Sequence, residues 1–382
     1  MQIVFVSNYY NHHQAELSAA LYRRLQGDYY FVETMPMEEE RKALGWGNID
    51  IPSYVKSFSS EEQLCRRLID SADVVIVGSA PDALLQDREK NGKLIFKYSE
   101  RLYKKRGSLW QLPLRAIRYH RSYYASKNSV LLCASAYAAH DYARTGLFRD
   151  KAFQWGYFPQ FVQYDDITAL ISSKRTNSII WVARMIDWKH PEIPLAVAKR
   201  LKAEGYSFTL RMIGNGSLYD KIFKMIQAEN LEDCVSLLGA MSPQQVRKHM
   251  EESEVFLFTS DRNEGWGAVL NEAMNAGCAV VASHAIGAAP FLIQHGQNGL
   301  LYRDGDQDDL YNKVKTLLND RRRRCIISAN AYHTIANEWN AEIAAERVIE
   351  LAEHRLKGEF SWRAESGICA EAKRLDSNWF QE

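Results

Sequence analysis

Short unbroken apolar runs alternate along the chain with longer stretches whose apolar positions recur every three or four residues. That alternation is the pattern of βαβ units, because strands buried on both faces of a parallel sheet read as continuous hydrophobic runs. Val74-Val75-Ile76-Val77 is such a run. In the first half the predicted strands are Ile3–Ser7, Tyr30–Glu33, Val74–Gly78, Leu94–Tyr98 and Ser129–Ala134, with helices at Gln14–Gln26 and Ser60–Ser71. A second series then starts afresh. Its strands are Ser178–Ala183, Ser207–Ile213, Val235–Leu238, Val255–Thr259 and Ala279–Ala282, and its helices are Pro191–Glu204, Ser217–Ala228, Pro243–Glu252 and Ala268–Ala276. The polar stretch Gln163–Asn177 divides the two series. The pattern predicts an α/β protein of two Rossmann-like, doubly wound domains facing each other across a cleft. The first covers 1–165 and is rejoined by 360–382; the second covers 175–345. Ligands of such sheets bind outside the carboxyl ends of the strands, so the loops there are where chemistry is expected.

Composition adds little to this picture and excludes some alternatives. A length of 382 residues fits two domains of comparable size. A net charge of +1 gives no overall field for nucleic acid. The cysteines (Cys65, Cys133, Cys234, Cys278, Cys325 and Cys369) form no close pair and no CxxC, which argues for reduced thiols rather than a zinc ribbon or a disulfide framework. There is no signal-peptide pattern, and no apolar run approaches the ~20 residues that span a bilayer. The expectation is a cytoplasmic protein, or one held peripherally at the inner face of a membrane.

The densest chemistry lies in Phe256–Met274, where a strand ends, a loop carries Glu264 and two glycines, and a helix begins near Gly267. A helix start preceded by glycines offers free N–H groups and partial positive charge, an anion site suited to a diphosphate. Trp266, Gly267, Ala268 and Val269 are therefore candidate ligand-binding residues. Trp266 to Glu272 covers roughly 9 Å of helix axis. Two carboxylates so placed can serve a sugar on one side of a diphosphate and a ribose on the other. A second segment, Trp181–Pro191, sets Arg184 at a strand's carboxyl end and Lys189 in the loop before a helix, where cations can hold a diphosphate leaving group without a metal.

On these residues the chain resembles a family 4 glycosyltransferase of the GT-B fold. The family's paired glutamates stand here as Glu264 and Glu272, followed by Glu272-Ala273-Met274 and Ala279–Ser283; its Arg and Lys match Arg184 and Lys189. Its glycine turn matches Ile213-Gly214-Asn215-Gly216, the loop bordering the base falls at Leu238-Gly239, and its closing strand at His295–Tyr302. The resemblance is dense over residues 178–305 and rests on pattern alone before them. It implies retaining transfer from a nucleotide-diphosphate sugar to a glycan or lipid-linked acceptor in cell-surface polysaccharide or glycolipid synthesis. Arg184 and Lys189 would stabilise the departing diphosphate, Glu264 would meet the donor sugar and Glu272 the ribose. Attack would come from the front face, with no dedicated base. Departures also stand out. The family's glycine-rich loop after the first strand is replaced by Ser7–Gln14, which puts His12 and His13 on the acceptor or sugar side. Glu100 stands where a histidine is common, and Gly287-Ala288-Ala289-Pro290 lacks the family's glutamate.

Other signals are expected to be structural. Asp304-Gly305-Asp306 reads as a helix-capping turn rather than a metal site, and no metal or other cofactor is expected. Arg321–Arg324 reads as a solvated helix end. Between Arg101 and Lys127 stand eight basic residues and no acidic one, with aromatic residues between them. That stretch is either a basic helix pair on the surface or a contact for anionic lipid headgroups or a lipid-diphosphate acceptor, at about 1 kcal/mol per basic residue near such a surface. No nucleic-acid motif accompanies it. Two further readings keep the fold but not the reaction: a sugar-nucleotide epimerase or phosphorylase, and a non-catalytic scaffold. Intact Arg184, Lys189, Glu264 and Glu272 argue against the scaffold.

Overall fold

The first strand, β1 (Ile3–Ser7), is wholly buried and pairs in parallel on both sides, as its apolar sequence requires. In the computed structural model, which describes residues 1–38, 50–104 and 112–380, it is central to an all-parallel sheet. The other strands of that sheet are β2 (Tyr29–Glu33), β3 (Val55–Ser57), β4 (Val74–Val77), β5 (Leu94–Ser99), β6 (Ser129–Cys133) and β7 (Ala152–Gln154). Their spatial order is β3-β2-β1-β4-β5-β6-β7. A second parallel sheet holds β8 (Arg175–Val182), β9 (Thr209–Ile213), β10 (Val235–Leu237), β11 (Ser253–Phe258), β12 (Ala279–Ser283) and β13 (Leu300–Tyr302), in the order β10-β9-β8-β11-β12-β13. Both sheets reverse direction of growth beside their first strand. The topological switch points, where such sheets bind ligands, therefore lie between β1 and β4 in one sheet and between β8 and β11 in the other.

The chain forms two compact units: Met1–Gln160 with Trp339–Trp379, and Phe161–Glu338 with the last residues from Phe380. The return to the first unit comes at Trp339, well before residue 360. Helix Ala341–Leu356 buries Ala344, Ala345, Val348 and Leu351, and it packs on helix His12–Arg24. Arg23 pairs with Glu342, and Arg24 reaches Glu346 at 3.1 Å. Further on, Ala370 and Ala372 hydrogen-bond to the backbone of β7 and cover what would be an open sheet edge.

The division between the two series is also more structured than its polarity suggests. Helix Ile167–Ser173, capped by the Asp166 side chain, lies inside the stretch read as a boundary and seats Ile167 and Ile171 against Tyr332. The core of the second unit runs between its sheet and helices Glu192–Ala203, Tyr219–Ala228 and Gln307–Asn319, with Trp181, Met212, Leu257 and Leu310 at its centre.

Candidate functional site

In the second unit the chain leaves β8 at Val182 and runs through Ala183–His190, ending in the 3₁₀ turn Asp187–Lys189. The turn after β9 is packed against this segment. Met185 N–H donates to the Asn215 carbonyl at 2.8 Å, and a Cβ on Gly214 (φ +140°) would lie 1.8 Å from the Ala183 carbonyl oxygen. No other residue fits there, which is why a Gly-Asn-Gly turn faces the Arg184 loop. The Gly214 amide in turn donates to the Gly239 carbonyl at 2.8 Å. Leu238, half-buried beside it, extends the β9–β10 pairing through its own amide to Met212.

Thr259, at the end of β11, couples the two sides of the switch point. Its hydroxyl accepts from the Trp181 indole at 2.8 Å and donates to the Lys189 carbonyl at 2.7 Å. The Lys189 ammonium pairs with the Glu264 carboxylate, both groups nearly buried, and lies 4.2 Å from the Trp188 ring centre. Arg184 is exposed, with its guanidinium 5.8 Å from the centre of the same Trp188 ring. Arg184, Lys189 and Glu264 are thus brought to one edge by three separate constraints.

After Glu264 the chain turns at Gly267, where a Cβ would lie 2.7 Å from the Phe258 ring. The following helix is short, Val269–Asn275. The amides of Ala268 and Val269 have no acceptor among the described residues, so two N–H groups stand open where an anion would be received. Trp266 is placed differently from the sequence expectation. Its ring is fully buried, its indole N–H donates to Asn271 at 3.0 Å, and Phe291 packs beside it. The large apolar ring is an internal prop of the loop, and only its backbone lies at the site. Glu272 is half-buried and its carboxylate makes no hydrogen bond or ion pair among the described residues. Burial pushes its carboxyl up to about 7, against an opposing pull from Arg247.

The acceptor-side candidates belong to the first unit. His12 and His13 open helix His12–Arg24, capped by Asn11, with their ring centres 4.0 Å apart; burial pushes the His12 imidazole below its ordinary range. Glu100 follows β5 and pairs with Lys104. The residue joining them is Tyr157, which sequence reasoning missed. Its hydroxyl donates to Glu100 at 2.9 Å, and its ring lies 5.4 Å from that of His13.

Two basic clusters are corrected. Arg101 is buried, 3.6 Å from Asp141 and stacked on Tyr137, so it belongs to the core and not to a surface patch. Arg118 and Lys127 are exposed, on and beyond helix Leu112–His120, whose Leu114 and Ile117 also face solvent. Lys105, Arg106 and the Arg115 side chain lie outside the described residues. Arg324 is not a solvated helix end: it is buried, pairing with Glu254 at 2.7 Å. Asp306 caps helix Gln307–Asn319. Among the described residues, no group of three or more His, Cys, Asp and Glu is placed to hold a metal ion, and no helix is long and apolar enough to cross a membrane.

Comparison with known proteins bears on both units. Residues 165–334 match the family described as Glycosyl transferases group 1. The amylovoran biosynthesis glycosyltransferase AmsK of Erwinia amylovora is 29% identical over 180 residues, 46% of this chain and 44% of its own length. The N-acetylgalactosamine-N,N'-diacetylbacillosaminyl-diphospho-undecaprenol 4-alpha-N-acetylgalactosaminyltransferase of Campylobacter jejuni is 31% identical over 146 residues, 38% of each chain. The match therefore spans less than half the length of these curated relatives. Among solved structures, Anabaena Alr3699/HepE in complex with UDP superposes with a TM-score of 0.68 at 17% identity, over 92% of this chain and all of that one. TarM gives 0.66 at 13% identity, over 94% and 99%. The fold is that of GT-B glycosyltransferases: two parallel-sheet α/β domains.

Proposed function

We propose that the protein is a retaining, metal-independent glycosyltransferase. It moves a hexosyl group from a nucleotide-diphosphate sugar to a glycan or lipid-linked acceptor, in polysaccharide or glycolipid synthesis. The observation that carries this reading is the β8–β11 switch point, where Arg184 and Lys189 stand with Glu264 and the open amides of Ala268 and Val269. Cations and amides on a pyrophosphate stabilise the charge that develops as the leaving group departs. The bond from the sugar's anomeric carbon to the phosphate oxygen breaks. The acceptor oxygen attacks from the same face, and its proton passes to the departing phosphate. Glu264 meets the donor sugar, while unpartnered Glu272 accepts from the ribose diol. UDP is the first nucleotide to try, since solved structures of this fold hold it. His12, His13 and Glu100 lie on the acceptor side in this reading.

The test is release of nucleoside diphosphate from a panel of UDP-, GDP- and ADP-sugars, with candidate glycan and lipid-linked acceptors. A transferase releases the diphosphate only when an acceptor is present. An epimerase would interconvert the donor, a phosphorylase would require phosphate, and a scaffold would do none of these. The protein is further proposed to sit at the inner face of the cytoplasmic membrane through helix Leu112–His120. Exposed Leu114 and Ile117 would enter the interface beside Arg118, Arg121 and Lys127. Flotation with liposomes containing anionic lipid should be lost at high salt; no flotation at low salt would dismiss the membrane contact.

A further inference from the structure

The donor-site reading leaves His190 unexplained. It follows Lys189 directly and adopts left-handed backbone angles (φ 51°, ψ 57°), a conformation in which glycine or asparagine is the usual residue. A bulky residue is kept there at a conformational cost, and its side chain is engaged from two sides. One imidazole nitrogen lies 3.0 Å from the Glu192 carboxylate and the other 3.4 Å from Asp261. Glu192 begins the helix after the Lys189 loop, whereas Asp261 heads the loop that carries Glu264. Asp261 is itself oriented, accepting from the Asn263 amide at 2.8 Å, and the Glu264 amide donates to its carbonyl at 3.0 Å.

We propose that His190, as an imidazolium bridging Glu192 and Asp261, is a positioning residue that locks the Lys189 loop to the Glu264 loop and so fixes the cation that receives the diphosphate. This deepens the donor-site reading and rests on it for its consequence in turnover. The hydrogen bonds that the imidazole donates to Asp261 and then to Glu192 raise it to about 10. Burial alone would raise the two carboxyls, but the bonds from His190 prevail and hold both below their ordinary range. The charged groups facing this cluster from other elements are Lys221 of helix Tyr219–Ala228 and Asp304 after β13, with His284 beside Asp304. The bridge therefore carries a positive charge throughout the neutral range, when both nitrogens donate.

Glycine is the discriminating substitution, because it suits the left-handed backbone and removes only the bridge. His190→Gly should still fold, with some stability lost as Glu192 and Asp261 lose their shared cation, and should lose roughly 10- to 100-fold in kcat with KM moving less, as expected when the cation on the leaving group is misplaced. His190→Asn, which tolerates the same backbone, should resemble the glycine variant. Native-like kcat in a folded His190→Gly protein would overturn the proposal. An independent readout needs no donor at all: the imidazole resonances of His190 should stay those of the protonated ring throughout the neutral range and titrate well above the ordinary value, and the Lys189 amide should exchange faster in His190→Gly. Titration near the ordinary value of 6.5, or unchanged exchange, would equally overturn it. If no nucleotide sugar is turned over by the native protein, the donor-site reading fails, while the resonance and exchange measurements still decide whether His190 locks the loops.

Discussion

The two units share one topology and use their switch points in opposite ways. Beside β8 the chain is held open: Gly214 and Gly216 let one backbone approach another, the Arg184–Lys189 loop reaches outward, and two amides remain unclaimed. Beside β1 the loop instead turns aromatic rings inward, toward β2 and β3. Tyr9 and Tyr10 turn inward after β1, and Tyr10 packs on Phe31 with its hydroxyl 3.1 Å from that of Tyr54. A loop without glycine brings its backbone less close to a phosphate but carries more side chains, and His12 and His13 follow at once. Topology offers the crevice; the residue types at the strand ends decide whether it becomes an anion site or a platform of rings.

Four experiments test that contrast. The largest effect is expected where charge is made and broken. Lys189→Ala and Glu264→Ala should each lower nucleotide-diphosphate release by about 10²–10³-fold, the cost of losing one preorganised group in a shielded site. Native-like rates in both would remove the β8–β11 switch point from the chemistry. Next come the glycines. Gly214→Ala sets a methyl carbon on the Ala183 carbonyl at a positive φ and should cost about 2–4 kcal/mol in chemical denaturation. Gly78→Ala, in the loop after β4 beside β1, meets side-chain atoms alone, the Ser7 hydroxyl at 2.8 Å and then Ser7 Cβ and the Phe5 ring at 3.4 Å and beyond, with no backbone among them. Its cost should stay within about 1 kcal/mol. Equal losses at the two positions would show that the close backbone approach is not peculiar to the second unit.

What could be read from sequence follows burial. β1, β4, β6, β11 and β12 are buried throughout, and their apolar runs marked them; β3, with no buried residue, and β7 are three-residue edge strands that left no run to read, although β10, equally short, was found. The loops that carry Arg184, Lys189, Glu264 and Glu272 stood out in the sequence because glycines and charges cluster there in few residues, and of these side chains Lys189 and Glu264 pair. The burial of the Trp266 ring was not legible, because an aromatic residue in a glycine-rich loop looks the same whether it faces a ligand or the core. The roles of Thr259, Asp261 and Tyr157 were not legible, since each acts through a partner tens of residues away. Arg101 and Arg324 show the same limit for charge: a run of cations does not reveal that one of them has an acidic partner in the core.

A smaller effect is expected at Glu272, and its pH dependence has a definite sign. The carboxyl titrates at about 7 in the empty protein, above its ordinary value of 4.5. The folded state therefore holds that proton more tightly than the unfolded chain, and stability falls as pH rises from the ordinary carboxyl range to about 7, then levels off. Glu272→Gln should abolish that fall, making the empty protein more stable than native at pH 8. The same variant should bind UDP-glucose about 10-fold more weakly at pH 8, through lost hydrogen bonds of a charged acceptor. Native affinity should strengthen between pH 6 and 8, while that of the variant stays flat. A calorimetric titration series shows both; parallel profiles would place the ribose elsewhere.

The smallest effect belongs to the platform beside β1. Tyr157→Phe keeps the ring against His13 and removes only the hydroxyl that donates to Glu100. Glu100 retains Lys104, so its carboxylate is loosened rather than stranded. One hydrogen bond to a charged group is worth about 1.5–3 kcal/mol when nothing replaces it, and less here because water and Lys104 remain. The acceptor KM should rise about 3- to 10-fold, with nucleotide affinity unchanged. Glu100→Gln, which can still accept from Tyr157 but repels no anion, should give a change of similar size. If both variants instead weaken nucleotide binding and leave the acceptor KM alone, the two switch points do not divide the labour as their residues suggest, and Glu100 serves the donor.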